Sequence, residues 1–156
     1  MDAIQDRYPD EFAHCYGCGR LNTHGLHVRS EWTGDEAVAR FMPEPYHIAM
    51  PGYVYGGLIA SLIDCHAIGA AAAATMVAAG QTPGQDPTPR FVTAALHVDF
   101  LKPTPAGAEL FLRARPVEVG ARKVVVEATL SAEGAERARA RVVAVRVPEG
   151  MAAAPA

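Results

Sequence analysis

The chain has 156 residues, of which half are hydrophobic and 20% are charged, and its formal net charge is −3. This length fits one domain spanning residues 1–156, and the apolar content excludes a disordered chain. The slight acidity excludes the basic surface of a general nucleic-acid binder, and the 30 alanines predict a core of small side chains.

No targeting segment is predicted at the start of the chain. Residues 1–11 are acidic and polar and lack the basic and apolar regions of a secretory signal. The longest apolar run, residues 67–79, is shorter than the roughly 18–20 residues needed to span a bilayer. The three cysteines are an odd number, which favours reduced thiols over a disulfide framework. We therefore expect a cytoplasmic protein that has no membrane segment.

The first part of the chain predicts an irregular lead-in followed by a hairpin. Residues 1–22 are rich in Asp, Pro, Tyr, Cys and Gly and lack helical or strand periodicity. Residues 26–32 and 36–41 alternate apolar and polar side chains, as half-buried strands do, and turn residues 33–35 separate them. Prolines and a glycine over residues 43–52 then predict a loop.

A long helix is predicted over residues 56–79. It opens on two glycines, ends before Gly80 and is apolar nearly all round, which is typical of a helix buried on most sides. After a Gly/Pro-rich loop come four β-type segments separated by turn residues: Phe91–Leu101, Glu109–Val119, Lys123–Ser131 and Ala138–Val147. Consecutive hairpins favour an antiparallel sheet with the helix against one face, which is an α+β domain. Residues 148–156 are expected to fray.

Two features near the start of the helix carry chemistry. Gly56 and Gly57 would leave backbone N–H groups open to an oxygen that is negative or becoming so. Asp64 is an acid inside an otherwise apolar helix, so it must be paired, solvated in a cavity or functional. Close packing of the helix against the sheet is an alternative explanation for the glycines, and capping of a loop or pairing with an arginine is an alternative for Asp64. Gly56 and Asp64 lie about 12 Å apart along the axis, so one reacting group meets both only across two antiparallel copies of the helix.

The same stretch resembles the His-Gly-Gly…Asp signature of hotdog-fold acyl-CoA thioesterases, in particular the group typified by the phenylacetate-pathway thioesterase. Here the signature reads Tyr55-Gly56-Gly57, followed by Asp64. Three other segments are similar to parts of that family. They are Cys15-Tyr16-Gly17-Cys18-Gly19 with Asn22 and Gly25-Leu26, Val92-Thr93 with Phe100-Leu101-Lys102-Pro103, and Gly120-Ala121-Arg122-Lys123-Val124. The resemblance spans about residues 15–147.

The resemblance implies a hotdog fold, in which a curved antiparallel sheet wraps one long central helix. It implies active sites at the interface of a homodimer, which in many members pairs further into a homotetramer. The implied reaction is hydrolysis of an acyl-CoA thioester whose acyl group is a small aryl or a fatty chain, without a cofactor. Gly56 and Gly57 would donate N–H groups to the thioester oxygen, and Asp64 of the partner subunit would be the nucleophile or general base. Thr93 would help to place water or substrate.

Six further residues are candidates for substrate binding. Tyr55 stands where the family has its histidine, and His66 is ionisable but at a spacing from Asp64 that points it to another face of the helix. Basic residues at the mouth of the cleft would meet the phosphates of coenzyme A. Those that flank loops are Arg90, Lys102, Arg122 and Lys123. Ordinary surface charge explains each of these four equally well, and a packed histidine would explain His66.

Two departures from the family pattern leave other functions open. Tyr55 replaces the histidine, and Ala49 stands about where some members have a water-holding asparagine. A non-catalytic acyl-CoA-binding protein of the same fold is therefore the alternative. A hotdog dehydratase would need a histidine beside the acid, which Tyr55 does not supply.

A zinc site is a separate hypothesis. Cys15 and Cys18 have the spacing of zinc ligands, but His24 and His27 are one residue closer together than the usual pair. We therefore expect a packed lead-in with unliganded thiols and no metal, and we expect Cys65 to lie in the core.

Overall fold

The computed structural model of the chain describes residues 2–148 and 150–151. Its elements in chain order are 3₁₀ helices at Ile4–Arg7 and Asp10–Phe12, strands β1 (Glu31–Trp32) and β2 (Ala37–Phe41), helix α1 (Gly56–Ala78), and strands β3 (Phe91–Phe100), β4 (Leu110–Val119), β5 (Lys123–Ala132) and β6 (Ala135–Arg146). Most of the tail that was predicted to fray lies outside the described residues.

All six strands form one antiparallel sheet in the order β1-β2-β4-β5-β6-β3. Helix α1 packs across one face of this sheet and contacts β2, β3, β4, β5 and β6. The predicted α+β architecture is therefore confirmed, and α1 and β3 to β6 begin and end within three residues of their predicted bounds.

The first strand of the predicted hairpin is much shorter than its alternating pattern suggested. The N–H groups of Leu26 and Val28 donate to the carbonyls of Tyr16 and Gly17 at 2.8 and 2.9 Å, so this segment pairs with the lead-in. Between them, His27 has a φ of 54°, which an extended strand does not allow. Only the last two residues of the pattern, Glu31 and Trp32, pair with β2, and these two residues form β1.

Helix α1 is the centre of the core. By length and composition alone it could cross a membrane, but 78% of its apolar window is buried, so it is the core helix of this fold. Alanines at positions 67 and 70–73 have no exposed surface. Their small side chains allow the sheet to approach the helix closely, which accounts for part of the alanine excess. The helix ends where Gly80 adopts a φ of +76°, a left-handed conformation that favours glycine.

A β-bulge in β3 decides which of its side chains face the helix. Thr93 pairs with Ala144 and Ala95 pairs with Val143, so Ala94 is an extra residue between them. The bulge shifts the alternation by one position, and from Thr93 onwards the partners of the helix-facing residues are the buried alanines and valine of β6. On the helix side, β3 therefore presents Phe91 and Thr93 before the bulge, and Leu96, Val98 and Phe100 after it.

His66 is fully buried within α1 and bonded on both ring nitrogens. Its Nε2 donates to the Ala37 carbonyl at 3.1 Å, so its Nδ1 accepts from the Ser30 hydroxyl at 2.8 Å. Gln5 Nε2 donates to the same hydroxyl at 2.9 Å. Burial lowers the pKa of His66 to about 4, so the ring is neutral at pH 7. The structure thus places His66 in a core network that ties α1 to β2 and the lead-in, rather than at the substrate site predicted for it.

We expect His66→Leu to lower the free energy of unfolding by about 2 kcal/mol, because the core loses the hydrogen bonds of the ring with the Ala37 carbonyl and the Ser30 hydroxyl. Urea denaturation at pH 7 measures the change. His24→Leu, in an exposed loop, is the matched control and should alter stability by less than about 0.5 kcal/mol. Equal losses in the two variants would contradict the structural role of His66.

Candidate active site at the edge of the sheet

Asp64 is the ninth residue of α1, is half-buried, and faces the edge strand β3. Its Oδ1 accepts a hydrogen bond from Thr93 Oγ1. Burial raises the pKa of the Asp64 carboxyl above its ordinary value, against the opposing effects of the Thr93 hydroxyl and the Arg90 charge. A carboxylate with a raised pKa, held by one donor, is suited to accept a proton.

A small cavity of about 100 Å³ opens beside this pair. Its walls come from the lead-in, α1 and the start of β3: Cys15, Cys18, Asp64, Cys65, Ile68, Arg90, Phe91, Val92 and Thr93. Of the residues predicted for the site, the structure thus brings Asp64, Thr93 and Arg90 together. His66 is not among the lining residues.

Arg90 lies deeper than a residue at a solvent-exposed cleft mouth would. Its guanidinium carbon lies 5.0 Å from the centre of the Tyr8 ring, over its face. Its Nη1 is buried and has no hydrogen-bond partner among the described residues. The cation is therefore held beside the cavity and is incompletely satisfied by the protein around it.

The N-terminus of α1 has free donors. The N–H groups of Leu58 and Ile59 both point to the Tyr55 carbonyl, whereas those of Gly56 and Gly57 have no acceptor among the described residues. The first turn carries no acidic side chain that would neutralise the positive end of the helix dipole. The exposed Tyr55 ring lies over Gly57, where a Cβ would come within 2.3 Å of Tyr55 Cε1, so this arrangement of the ring requires glycine.

Within one protomer, the free donors and the carboxylate lie at opposite ends of β3. A Cβ on Gly56 would lie 3.5 Å from the Phe100 ring at the end of the strand, whereas Asp64 is bonded to Thr93 near its start. The structure thus agrees with the separation that the helical spacing predicted.

The three other basic candidates do not form one cluster either. Lys102 is exposed just beyond the end of β3, close to the start of α1. Arg122 and Lys123 are exposed at the β4–β5 turn, at the other end of the sheet, where the Lys123 ammonium lies 3.7 Å from a Glu118 carboxylate oxygen. Within one protomer these side chains cannot all contact the same ligand.

A larger cavity, of about 620 Å³, lies on the sheet face opposite α1 and includes none of the predicted site residues. Its walls are charged, and its arginines are mostly paired, as Arg113 is with Glu36 at 2.6 Å. We therefore place the candidate chemistry at the smaller cavity, where the carboxylate is.

Sequence reasoning missed the three cysteines as neighbours of Asp64. Cys15 Sγ lies 3.7 Å from Cys65 Sγ. Hydrogen bonds from the Cys18 and Cys65 thiols lower the pKa of Cys15. The hydrogen bond between Cys18 and Cys15 is also the main cause that raises the pKa of Cys18, to about 11. The available signals were the Cys-x-x-Cys spacing and the position of Cys65 next to Asp64, and only the fold joins them.

Comparisons with known proteins agree with this fold. The family model described as Thioesterase superfamily matches residues 51–139. A thioesterase superfamily protein from Shewanella loihica PV-4 is 48% identical, with a TM-score of 0.68, over 89% of this chain and 98% of that chain. The search of curated proteins found no match to the sequence.

Two more distant structures share the fold alone. The PaaI protein from the phenylacetic acid degradation operon of E. coli is 20% identical, with a TM-score of 0.64, over 79% of this chain and 81% of that one. A Streptococcus mutans UA159 protein bound to acetyl CoA is 17% identical, with a TM-score of 0.62, over 77% of this chain and 88% of that one.

Proposed function

Because the chain belongs to the thioesterase superfamily, whose model matches more than half of it, we propose that it hydrolyses the thioester bond of an acyl-CoA with a small aryl or fatty acyl group. The observation that carries this proposal is the hydrogen-bonded Asp64–Thr93 pair beside a cavity at the edge of the sheet. The acetyl CoA bound to the S. mutans neighbour and the phenylacetic acid operon of the E. coli neighbour support this substrate class.

In the proposed mechanism, Asp64 either takes a proton from the attacking water or attacks the thioester carbon itself. Thr93 holds the carboxylate, and thereby the water, in position. The free N–H groups of Gly56 and Gly57 stabilise the negative oxygen that forms, an effect of about 3 kcal/mol for one good donor. The C–S bond then breaks, and the coenzyme A thiolate leaves and takes up a proton. If Asp64 acts as the base, the attacking water has already become part of the free acid. If Asp64 is the nucleophile, the acyl group remains on it as a mixed anhydride, which water then hydrolyses to release the free acid and restore the carboxylate.

We propose that a second copy of the chain completes the site in a homodimer. The cavity of about 100 Å³ is too small for an acyl chain with its pantetheine arm, since ligand pockets measure roughly 300–1,000 Å³. The outer edge of β3 pairs with no other described strand, and its helix-facing Leu96 and Phe100 are exposed. These apolar side chains and open backbone groups suit pairing with another strand.

Antiparallel pairing of two β3 strands would also bring the separated parts together. The Phe100 end of one strand would then lie against the Phe91 end of the other. This arrangement places the partner's Gly56 near Asp64, and the partner's Lys102 on the side of Arg122 and Lys123, where all three could meet coenzyme A phosphates. Pairing of dimers into a tetramer and a cytoplasmic location belong to the same proposal.

We expect Leu96→Glu to weaken the dimer at least about 100-fold, because it places an unpaired charge in an apolar interface. Analytical ultracentrifugation measures the dissociation constant, and the activity should fall with the dimer fraction. Val117→Glu, at an exposed valine of β4, is the matched control and should leave association unchanged. A fully dimeric Leu96→Glu protein would contradict the β3 interface.

We expect Thr93→Val to lower kcat about 10-fold while KM changes little, because the isosteric valine cannot donate to Asp64 and the loss of one hydrogen bond is worth roughly 1.4 kcal/mol. Steady-state kinetics with the best substrate measures the effect. Thr129→Val, on β5 and outside the walls of the small cavity beside Asp64, should retain the wild-type kcat. A Thr93→Val enzyme with unchanged kcat would remove Thr93 from the mechanism.

The experiment that tests the function as a whole is a hydrolysis screen with aryl-acyl and straight-chain CoA thioesters. Release of free thiol from at least one class supports the enzyme. The alternative, a non-catalytic acyl-CoA binder, is motivated by Tyr55, which stands exposed over the helix start without capping it. Measurable binding of the panel without any hydrolysis would favour that alternative.

A further inference from the structure

Three cysteine sulfur atoms meet at one point of the fold. Cys15 and Cys18 come from the lead-in and Cys65 from α1, and their sulfur atoms all lie within 4.8 Å of one another. Cys18 and Cys65 are buried, and Cys15 is partly exposed on the side of the cavity. When the cysteine, histidine, aspartate and glutamate side chains of the described residues are compared, these three cysteines are the group that lies close enough together to hold a metal ion.

The sulfur geometry suits zinc. Two thiolates bound tetrahedrally at about 2.3 Å from zinc are separated by about 3.8 Å, and Cys15 Sγ and Cys65 Sγ are 3.7 Å apart. Cys18 follows Cys15 with the Cys-x-x-Cys spacing of a zinc-binding loop. Thiolate ligands also select zinc over harder cations such as magnesium and calcium.

The loop that carries the first two cysteines is shaped around their sulfur atoms. The Gly19 N–H donates to the Cys15 carbonyl at 2.7 Å and closes the turn that carries both cysteines. A Cβ on Gly17 would come within 2.2 Å of Cys65 Sγ, and a Cβ on Gly19 within 2.4 Å of the Cys15 nitrogen. Glycine at both positions therefore permits the loop to turn tightly and allows Cys65 Sγ to lie against the loop.

The charge around the cluster also suits a zinc ion bound by three thiolates. Three thiolates with one zinc ion carry a net charge of −1, and the half-buried Arg90 lines the same cavity as the three cysteines. Its Nη1 is without a hydrogen-bond partner among the described residues, so it has a donor free for an anionic group. The histidines that the sequence placed near the cysteine pair are elsewhere: His24 is exposed, and the His27 ring contacts the Asn22 carbonyl at 2.6 Å.

We propose that Cys15, Cys18 and Cys65 form a zinc site that fastens the lead-in to α1, with the fourth coordination position open to the cavity beside Asp64. This site is independent of the proposed hydrolase activity. On binding, each thiol releases its proton to solvent and donates a sulfur lone pair to the ion. The sequence predicted unliganded thiols because the cysteine pair lacked partners, and the third partner comes from the central helix.

Metal binding by the reduced full-length protein tests the proposal. Protein stripped with a chelator and kept in a phosphine reductant is titrated with Co²⁺, then with Zn²⁺ in competition with a chromophoric chelator. We expect one ion per chain, sulfur-to-cobalt charge-transfer absorption, and protection of all three thiols from a thiol reagent. No binding, no charge-transfer absorption, or protection of only two thiols would overturn the site.

Variants assign the ligands. Cys18→Ser and Cys65→Ser should each weaken zinc binding at least about 100-fold, since loss of even an outer-shell partner costs 10–100-fold. His27→Ala is the control and should keep the wild-type affinity. Undiminished binding by Cys65→Ser would overturn the site. If a serine variant does not fold, the cobalt spectrum and the thiol count of the wild-type protein still decide the outcome, because they report on all three sulfur atoms directly.

Discussion

Replacement of Asp64 by asparagine is expected to lower kcat/KM for the best acyl-CoA substrate about 10³-fold, within the range that removal of a general base costs. Asparagine has the same shape but can neither take a proton from water nor attack the thioester carbon at a useful rate. The Thr93 hydroxyl can still donate to the amide oxygen, so the side chain should stay in place. Thiol release in the hydrolysis screen measures the loss.

The stability of the same variant separates chemistry from folding. Burial disfavours the charged form of Asp64, so the neutral amide should leave the melting temperature unchanged or raise it. Asp35→Asn, at an exposed side chain, is the matched control and should be fully active. An Asp64→Asn enzyme that keeps its activity to within about 10-fold would contradict the role we propose for this carboxylate.

Replacement of Ala71 by leucine is expected to lower the free energy of unfolding by about 3 kcal/mol, the upper part of the usual range for overpacking a core. Ala71 has no exposed surface, and neither have Ala70, Ala72 and Ala73, so α1 is enclosed on every side at this point. Three additional carbon atoms must therefore push the neighbouring elements away from the helix or adopt an unfavourable rotamer. Urea denaturation, followed by circular dichroism, measures the change.

Ala78→Leu provides the control on the same helix. Ala78 lies in the last turn of α1 and is exposed, so leucine there should change stability by less than about 0.5 kcal/mol. The comparison isolates packing from helix propensity, since both substitutions exchange the same residue types. Similar stabilities of the two variants would show that α1 is not closely covered by the sheet.

The sequence predicted the order of elements well because their patterns are strong. Helix α1 is a long apolar run between glycines, and the four later strands are separated by turn residues, so local chemistry determines their ends. The first strand was overestimated because its N–H groups bond to the lead-in, a long-range pairing that alternation of side chains cannot reveal. The bulge at Ala94 escaped notice for the same reason.

The candidate site was predicted in part. Asp64 stood out as the acid of an apolar helix, and Thr93 came from the family resemblance. The positions of Arg90 and the three cysteines depend on how the lead-in folds onto α1 and β3, and no periodic pattern in the lead-in encodes that contact. His66 was predicted to bind substrate because it is close to Asp64 along the chain, whereas the helix points its ring towards Ser30 and Ala37.

The bulge in β3 has a consequence for how this protein can change during evolution. Because Ala94 shifts the alternation, Thr93 and Phe100 can both face the helix although an odd number of positions separates them. Deletion of that one alanine would restore a regular ladder in which Thr93 and Phe100 keep their partners on β6 and still face the helix. We therefore expect homologues either to keep the extra residue together with the bulge or to lack both, because only these two combinations leave Thr93 and the apolar residues on the same face.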